Sequence, residues 1–135
     1  ALAPHRAARL EGRELLLEQL IDACAIDDSR HHLLVEGAGG FYSPIAENGL
    51  NADLAGELQL TVFIVVADRI GAVNQALMTI QAVESRQLRI AAIIFNQVTA
   101  DIDEQMDNAA DLAAYCRYPI FRCGHGASLP EIFAR

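Results

Sequence analysis

The sequence predicts an α/β fold, in which a parallel sheet is flanked by helices. Short apolar segments rich in β-branched residues alternate along the chain with longer segments whose apolar residues recur at helical spacing. Strands that are separated by helices of this length form right-handed crossovers, and such crossovers build parallel sheets. The chain has no internal repeat, low-complexity tract or linker, so we expect residues 1–135 to form a single α/β domain.

The elements of the first sixty residues are predicted from spacing and from loop-forming residues. Residues 13–25 have the spacing of a helix, and the residues on its apolar face are Leu16, Leu17, Leu20, Ile21 and Cys24. Residues 31–36 (HHLLVE) form a short apolar strand candidate, and the glycine-containing residues 37–49 predict a loop. Asn51 has the side chain of an N-cap and predicts a short helix that runs through Leu58.

The second half of the chain predicts three strands and two helices in alternation. Residues 61–67 (TVFIVVA) are continuously apolar, which is typical of a strand buried on both faces. Residues 72–86 have the apolar spacing of a helix, and residues 90–96 (IAAIIFN) predict a second buried strand. Residues 104–116 predict another amphipathic helix, and residues 118–122 a last short strand.

Composition excludes several classes of partner. The formal net charge is −8, and all ten basic residues are scattered arginines, which argues against nucleic acid as the main partner. No apolar run reaches the roughly 18 residues of a membrane span, and the first residues do not show the pattern expected of a signal peptide. Cys24, Cys116 and Cys123 form no C-x-x-C pair, so we expect free thiols in a reducing cytoplasm.

Glu36 is the first candidate for a functional residue. Ligands of open parallel sheets bind beyond the carboxyl ends of the strands, and Glu36 follows the apolar residues 33–35. A carboxylate at this place suits Mg²⁺, which takes one or two carboxylates together with phosphate oxygens. The glycines that follow allow the backbone to approach a ligand closely. The alternative is an acidic residue that ends a strand before a flexible turn.

Two asparagines are further candidates, each with an alternative. Asn96 ends the strand 90–96, where its amide could bind a nucleobase or could simply satisfy a turn. Asn74 lies near the start of the helix 72–86, where it could cap the helix, lie on the surface, or bind an anion at the positive helix end.

Several segments, in their order, resemble the dethiobiotin synthase family. Residues 35–45 (VEGAGGFYSPI) resemble its V-E-G-A-G-G segment with the following proline, and residues 52–66 resemble its next helix and strand. Residues 70–80 (IGAVNQALMTI) are similar to its L-G-x-I-N-H-A-L-L-T segment, with Gln75 in place of the usual histidine. Residues 90–96 match its strand that ends in asparagine. The opening residues 4–12 resemble its S-P-H-x-A-A-x-x-E-G stretch, so the match covers most of residues 3–121.

The resemblance implies a partial P-loop NTPase-like fold and a cytoplasmic, homodimeric enzyme of biotin biosynthesis. The implied reaction closes a ureido ring on 7,8-diaminopelargonic acid, with CO₂, ATP and Mg²⁺, and releases ADP and phosphate. By the same resemblance, Glu36 would bind the metal and the nucleotide, and Gly37, Ala38 and Gly39 would line the phosphate and carbamate region. The substrate carboxylate would be bound across the dimer interface by Ala72, Val73 and Asn74. The adenine would be contacted by Asn96 and Gln97.

Two departures from the family pattern shape the expectation for this chain. The 135 residues contain neither a G-x-x-x-x-G-K-[ST] sequence nor any lysine, so the family's catalytic lysines are missing from them. Residues 122–126 (RCGHG) also differ from the G-x-[IL]-P tail of the family. We therefore expect a fragment that lacks the phosphate-binding N-terminal part and is inactive by itself.

Two other functions stay open at this point. One is a non-catalytic binding or regulatory module related to the P-loop fold. The other is an amidoligase of the cobyrinic acid synthase type, against which residues 71–79 argue because they resemble dethiobiotin synthase more closely.

Overall fold

A computed structural model describes residues 2–25, 33–101 and 105–127. The chain divides into two compact units, Ala1–Leu60 and Thr61–Arg135, which we call the N-terminal and C-terminal units. Two such units can belong to one domain, so the single-domain prediction stays a prediction. No helix within the described ranges has the length and apolar character needed to cross a membrane.

The N-terminal unit combines short helices with a small hairpin. Its elements are α1 (Pro4–Leu10), α2 (Leu17–Cys24), β1 (Pro44–Ala46), β2 (Gly49–Leu50) and α3 (Asn51–Glu57). Strands β1 and β2 pair antiparallel. Ile45, Ala46 and Leu54 are buried at the centre of a small apolar cluster. Its partly buried members are Leu17, Leu20, Ile21, Val35 and Leu58.

Polar side chains bonded to the backbone fix the ends of these short elements. The Asn48 Oδ1 atom accepts from the Leu17 N–H at 2.8 Å, and its amide nitrogen lies 3.2 Å from both Glu18 carboxylate oxygens. The Asp53 carboxylate accepts from the Leu50 N–H at 2.9 Å at the start of α3. The bonds from the Leu17 and Leu50 N–H groups satisfy backbone donors that the start of a helix leaves unpaired, and the contact with Glu18 orients the Asn48 side chain.

Several predictions for this unit were wrong. Residues 33–36 are irregular rather than a strand, since no described segment pairs with them and Leu33 and Leu34 are exposed; residues 31 and 32 lie outside the described residues. The N-cap of α3 is Leu50, and Asn51 is the first helical residue, because its amide bonds to the loop before it. The predicted loop 37–49 contains the β1–β2 turn, and helix α2 begins four residues later than expected, at Leu17.

The C-terminal unit is built on a parallel sheet. It contains β3 (Val62–Ala67), α4 (Ala72–Ser85), β4 (Ile90–Asn96), α5 (Asn108–Ala113) and β5 (Ile120–Cys123). The strands lie in the order β3-β4-β5, and both pairs are parallel. This arrangement confirms the predicted α/β fold.

Strand β4 lies at the centre of this sheet and contributes more buried apolar residues than any other element among the described residues. Ile93 and Phe95 are fully buried, as are Val83 of α4 and Leu112 of α5. Ala67 pairs with Asn96, and Asn96 pairs with Cys123, so the three strands end at one level. The residues that follow the three strands therefore start from a common rim.

Three boundaries or burial patterns here differ from the predictions. Strand β3 buries Ile64 and Val66, but Val65 on its opposite face is 61% exposed, so the strand is not buried on both faces. Helix α5 is shorter than the predicted 104–116, because the Asp107 carboxylate accepts from the Ala110 N–H at 2.9 Å and starts the helix at Asn108; residue 104 lies outside the described residues. Strand β5 begins after Pro119, which has no N–H to give to the sheet.

Candidate functional site

Glu36 and the four residues after it form an exposed loop in the N-terminal unit. The Glu36 side chain is exposed on irregular backbone, rather than at the rim of a buried strand as expected. We call Gly37–Gly40 the glycine-rich loop. Its residues are all exposed, so both the loop and the Glu36 carboxylate are open to a ligand.

The shape of the glycine-rich loop is fixed by two polar side chains. The Asn51 amide nitrogen donates to the carbonyl oxygens of Ala38 and Gly40, both at 2.9 Å. The Ser43 hydroxyl accepts from the Gly40 N–H at 2.8 Å, and the Ser43 N–H donates to the Gly40 carbonyl at 2.8 Å. The two Asn51 bonds hold the loop against the start of α3, and the two Ser43 bonds close the turn that follows Gly40.

Two of the glycines have a direct steric reason. A Cβ atom on Gly37 would lie 2.5 Å from Asn51 Oδ1, which is closer than real Cβ contacts allow. Gly39 has a φ of +84°, and a Cβ atom there would lie 2.6 Å from the Ser43 hydroxyl oxygen. Asn51 and Ser43 therefore reach their hydrogen bonds only because these positions have no side chain.

The glycine-rich loop leaves backbone donors unused. Within the described part of the chain, the N–H groups of Gly37, Ala38 and Gly39 donate no hydrogen bond. Successive free N–H groups in a turn with one left-handed residue form the type of concavity that binds anions. The geometry thus suits a phosphate or carboxylate group next to Glu36.

The rim of the parallel sheet holds the second group of predicted residues. Asn96 is half-buried at the end of β4, and its side chain makes no hydrogen bond to any residue that the structure describes. The Gln97 amide, by contrast, donates to the Thr99 carbonyl at 2.9 Å and accepts from the His125 N–H at 3.3 Å. Asn96 is free to bind a ligand, whereas Gln97 ties two loops together.

Residues 122–126 are ordered by bonds of the same rim. The Gln97 N–H donates to the Cys123 carbonyl at 2.9 Å, which continues the β4–β5 pairing. Arg122 pairs with Asp107, and this bond lowers the pKa of the Asp107 carboxyl, with a further contribution from the Ala110 N–H. The sequence that departs from the family tail is therefore integrated into the fold.

At the start of α4, the three residues that the resemblance assigns to the substrate differ in their exposure and in their hydrogen bonds. Ala72 is fully buried and its N–H donates to the Arg69 carbonyl at 3.0 Å. Val73 is half-buried, and Asn74 is exposed with its amide 3.6 Å from the Met78 sulfur. Helical geometry leaves the first N–H groups of a helix without partners, so Val73 and Asn74 are the groups here that can meet an anion.

Sequence reasoning missed three residues that organise these regions. Asn51 was taken for a helix cap, and Ser43 was not among the predicted site residues. Asn108 is buried, and its amide donates to Asp68 Oδ1 at 2.7 Å and to the Arg69 carbonyl at 3.2 Å. Their partners lie up to forty residues away in the sequence, and no local pattern signals such pairs.

The chemistry of the donors sets which metal the loop could accept. No group of three or more histidine, cysteine or acidic side chains that could hold a metal occurs among the described residues. Glu36 offers a single exposed carboxylate beside free N–H groups. This set fits Mg²⁺ only when phosphate oxygens complete its coordination, which is the way protein sites commonly hold that ion.

Comparison with known proteins defines the class first. A family model described as an AAA domain matches residues 1–125. Together with the parallel α/β sheet, this match assigns the chain to the P-loop NTPase type of domain.

The relatives narrow the class. The ATP-dependent dethiobiotin synthetase BioD of Anaeromyxobacter dehalogenans (strain 2CP-1) is 40% identical over 114 residues, which are 83% of this chain and 51% of the relative. Proteins of the same name from Vesicomyosocius okutanii and Anaeromyxobacter sp. (strain Fw109-5) are each 38% identical, covering 81% and 96% of this chain and 48% and 60% of their own lengths. The chain belongs to the dethiobiotin synthetase family, and it spans about half the length of the curated relatives it matches.

Proposed function

We propose that this chain takes part in ATP-dependent ureido-ring closure, the step of biotin biosynthesis that forms dethiobiotin from 7,8-diaminopelargonic acid and CO₂. The observation that carries the proposal is the exposed Glu36 beside three free N–H groups, in a chain whose relatives are named ATP-dependent dethiobiotin synthetases. The carboxylate and the free N–H groups both suit the binding of a phosphate and its metal ion. The proposed location is the cytoplasm.

The proposed reaction has three steps. CO₂ adds to one amine of the substrate and gives a carbamate. The terminal phosphoryl group of ATP is transferred to a carbamate oxygen, which releases ADP. The second amine then attacks the carbonyl carbon, closes the ring and expels phosphate. Each step develops negative charge on oxygen, so catalysis depends on positioned N–H donors and on charge stabilisation.

The residues of the glycine-rich loop have defined tasks in this scheme. The N–H groups of Gly37, Ala38 and Gly39 would bind the oxygens of the phosphate and carbamate. Glu36 would hold Mg²⁺, which supplies neutralisation of the phosphate charge. The 135 residues contain no lysine that could share this task.

The remaining sites serve the two ends of the reactants. The free amide of Asn96 would contact the adenine of ATP, with Gln97 shaping the loops beside it. The N–H groups of Val73 and Asn74, which follow the buried Ala72 at the start of α4, would bind the carboxylate of the diamino acid across the interface of a homodimer. A helix N-terminus favours a carboxylate through its unpaired N–H groups.

One observation favours a second candidate, a non-catalytic nucleotide-binding module. Phosphoryl transfer requires cationic groups or metal ions around the transferred phosphate, and this chain has no lysine. The 135 residues expressed alone should therefore form no dethiobiotin, which mass spectrometry can check. Binding of ATP without turnover by the full-length protein would favour the module over the enzyme.

The test of the metal role uses Glu36→Gln in the full-length protein. Loss of the carboxylate should reduce Mg²⁺-dependent formation of dethiobiotin at least tenfold while the melting temperature stays near that of the wild type, because Mg²⁺ has few other protein ligands here. Glu57→Gln is the matched control, since Glu57 is an exposed residue of the same unit. Normal turnover of Glu36→Gln across a Mg²⁺ titration would contradict the metal role.

The test of the substrate site uses Asn74→Ala. The KM for the diamino acid should rise about tenfold, which corresponds to one lost hydrogen bond to a charged group. The KM for ATP should stay unchanged. Gln81→Ala, an exposed change on the same helix, is the control. The assignment fails where the KM for ATP rises and that for the diamino acid does not.

A further inference from the structure

We propose that Asn51 is a positioning residue for oxyanion binding by the glycine-rich loop. Its amide holds the carbonyl groups of Ala38 and Gly40, and thereby keeps the loop in the shape whose N–H groups are free. The identity of the oxyanion, a phosphate of ATP or a carbamate, rests on the proposed function. The positioning role does not.

The first argument is the complete use of the Asn51 donors. A side-chain amide has two N–H bonds, and each is directed to one carbonyl at 2.9 Å. An unbound carbonyl beside an anion repels it, because the oxygen carries the negative end of the peptide dipole. Asn51 removes this conflict at two loop positions with one side chain.

The second argument is the cost that Asn51 carries. Its Oδ1 atom is buried and accepts no hydrogen bond within the part of the chain that the structure describes. A buried unpaired acceptor is destabilising, so this arrangement is not the one that maximises stability. The Asn51 nitrogen faces the Ala38 and Gly40 carbonyls, and this orientation of the amide leaves its Oδ1 atom buried without a donor.

The third argument is the coupling between Asn51 and Gly37. The Asn51 N–H donates to the carbonyl of Ser43 at 3.0 Å, and Ser43 is itself bonded to Gly40, so the Asn51 backbone is connected to the loop through Ser43. Its Oδ1 atom occupies the space that a Gly37 side chain would need, at 2.5 Å from an ideal Cβ atom. The two residues are therefore an interdependent pair, and changes at them should not be additive.

The experiment measures binding of inorganic pyrophosphate and of ATP to the full-length protein by titration calorimetry, with thermal melts and a dethiobiotin assay in parallel. The variants are Asn51→Ala, Asn51→Asp and Asn51→Ser. Asn48→Ala is the matched control, because Asn48 makes equivalent side-chain bonds in the same unit but to Leu17 and Glu18, away from the loop.

We expect Asn51→Ala to weaken pyrophosphate binding roughly ten- to thirtyfold, from the loss of two hydrogen bonds that shape the site. Asn51→Asp fills the same space but presents oxygens to two carbonyls, so it should bind no better than Asn51→Ala. Asn51→Ser, which can donate to one carbonyl, should lie between them and the wild type. Asn48→Ala should melt at a lower temperature and bind pyrophosphate normally. A loss for Gly37→Ala that is not additive with Asn51→Ala would confirm the coupling.

Other outcomes separate this inference from the proposed function. Wild-type affinity in Asn51→Asp, or in a folded Asn51→Ser, would overturn the positioning role. A wild-type protein that binds neither pyrophosphate nor ATP would overturn both proposals. A wild-type protein that binds pyrophosphate but forms no dethiobiotin, with binding lost in the Asn51 variants, would refute the proposed function and leave the positioning role established.

Discussion

The N-terminal and C-terminal units are each stabilised by a different kind of interaction. The C-terminal unit contains most of the buried apolar side chains, and its strands are joined by backbone hydrogen bonds. The N-terminal unit buries only Ile45, Ala46, Ala52 and Leu54 among the residues described, and polar side chains fix its turns and helix ends. Stability is thus concentrated in the sheet, while the loop that suits an anion depends on a few individual side chains.

This difference predicts that the two units respond differently to substitutions. A backbone ladder forms with any side chain that fits the pleat, so the sheet can absorb many changes at its surface. A bond made by one side chain has no substitute when that residue changes. Substitutions in the N-terminal unit should therefore alter loop geometry, whereas substitutions in the core of the C-terminal unit should alter global stability.

The largest effect is expected for Phe95→Ala in the full-length protein. Phe95 is fully buried in the central strand, so its truncation should lower the free energy of unfolding by about 3–5 kcal/mol. Val65→Ala, an exposed change on β3, should cost no more than about 0.5 kcal/mol. Chemical denaturation measures both. Equal losses for the two variants would show that stability is not concentrated in the core of the sheet.

At the rim of the sheet, the C-terminal unit also depends on single side chains. The neighbouring residues Asn96 and Gln97 should respond differently to substitution by alanine. Asn96→Ala should weaken ATP binding about tenfold without changing the melting temperature, because its amide has no partner among the residues described. Gln97→Ala should lower the melting temperature as well, since it removes bonds to Thr99 and His125. Calorimetric titration and thermal melts distinguish the two, and identical behaviour would contradict the division of roles.

A helix end of the N-terminal unit provides the third comparison. Asn48→Ala removes the acceptor of the Leu17 N–H, so the free energy of unfolding should fall by about 1 kcal/mol. Asn74→Ala, an exposed change within a helix, should leave it nearly unchanged. Denaturation curves that rank these variants in the reverse order would refute the role given to polar bonds in this unit.

The smallest effect is the pH dependence that Asp107 contributes to the C-terminal unit. Arg122 and the Ala110 N–H lower the pKa of Asp107 in the folded state. A lowered folded pKa contributes stability above the unfolded value of about 4, and this stability is lost as the pH falls through the lower folded pKa. Melting temperatures of wild type and Asp107→Asn should therefore converge on acidification. A constant difference between them would contradict the pairing.

The accuracy of sequence-based prediction follows the same division. Strand β4 was predicted at its observed bounds, and β3 and α4 each to within one residue, because continuous apolar runs and helical periodicity are local signals. Residues 33–36 were predicted as a strand because they are apolar, yet a strand needs a neighbour to pair with, and local sequence does not reveal one. The role of Asn51 was missed because its partners lie eleven and thirteen residues earlier.

The common level at which β3, β4 and β5 end has a consequence for how this family can diverge. The Asp68 N–H donates to the Asn96 carbonyl at 2.8 Å, and the Gln97 N–H to the Cys123 carbonyl at 2.9 Å, so main-chain hydrogen bonds continue for one residue beyond the strands. Bonds of this type join main-chain atoms, so they can form with many different side chains at the same positions. Residues 122–126 could thus drift from the family pattern while the rim beside Asn96 kept its shape. The glycine-rich loop differs in this respect, because its backbone is held by the side chain of Asn51, and a substitution there is expected to change the loop itself.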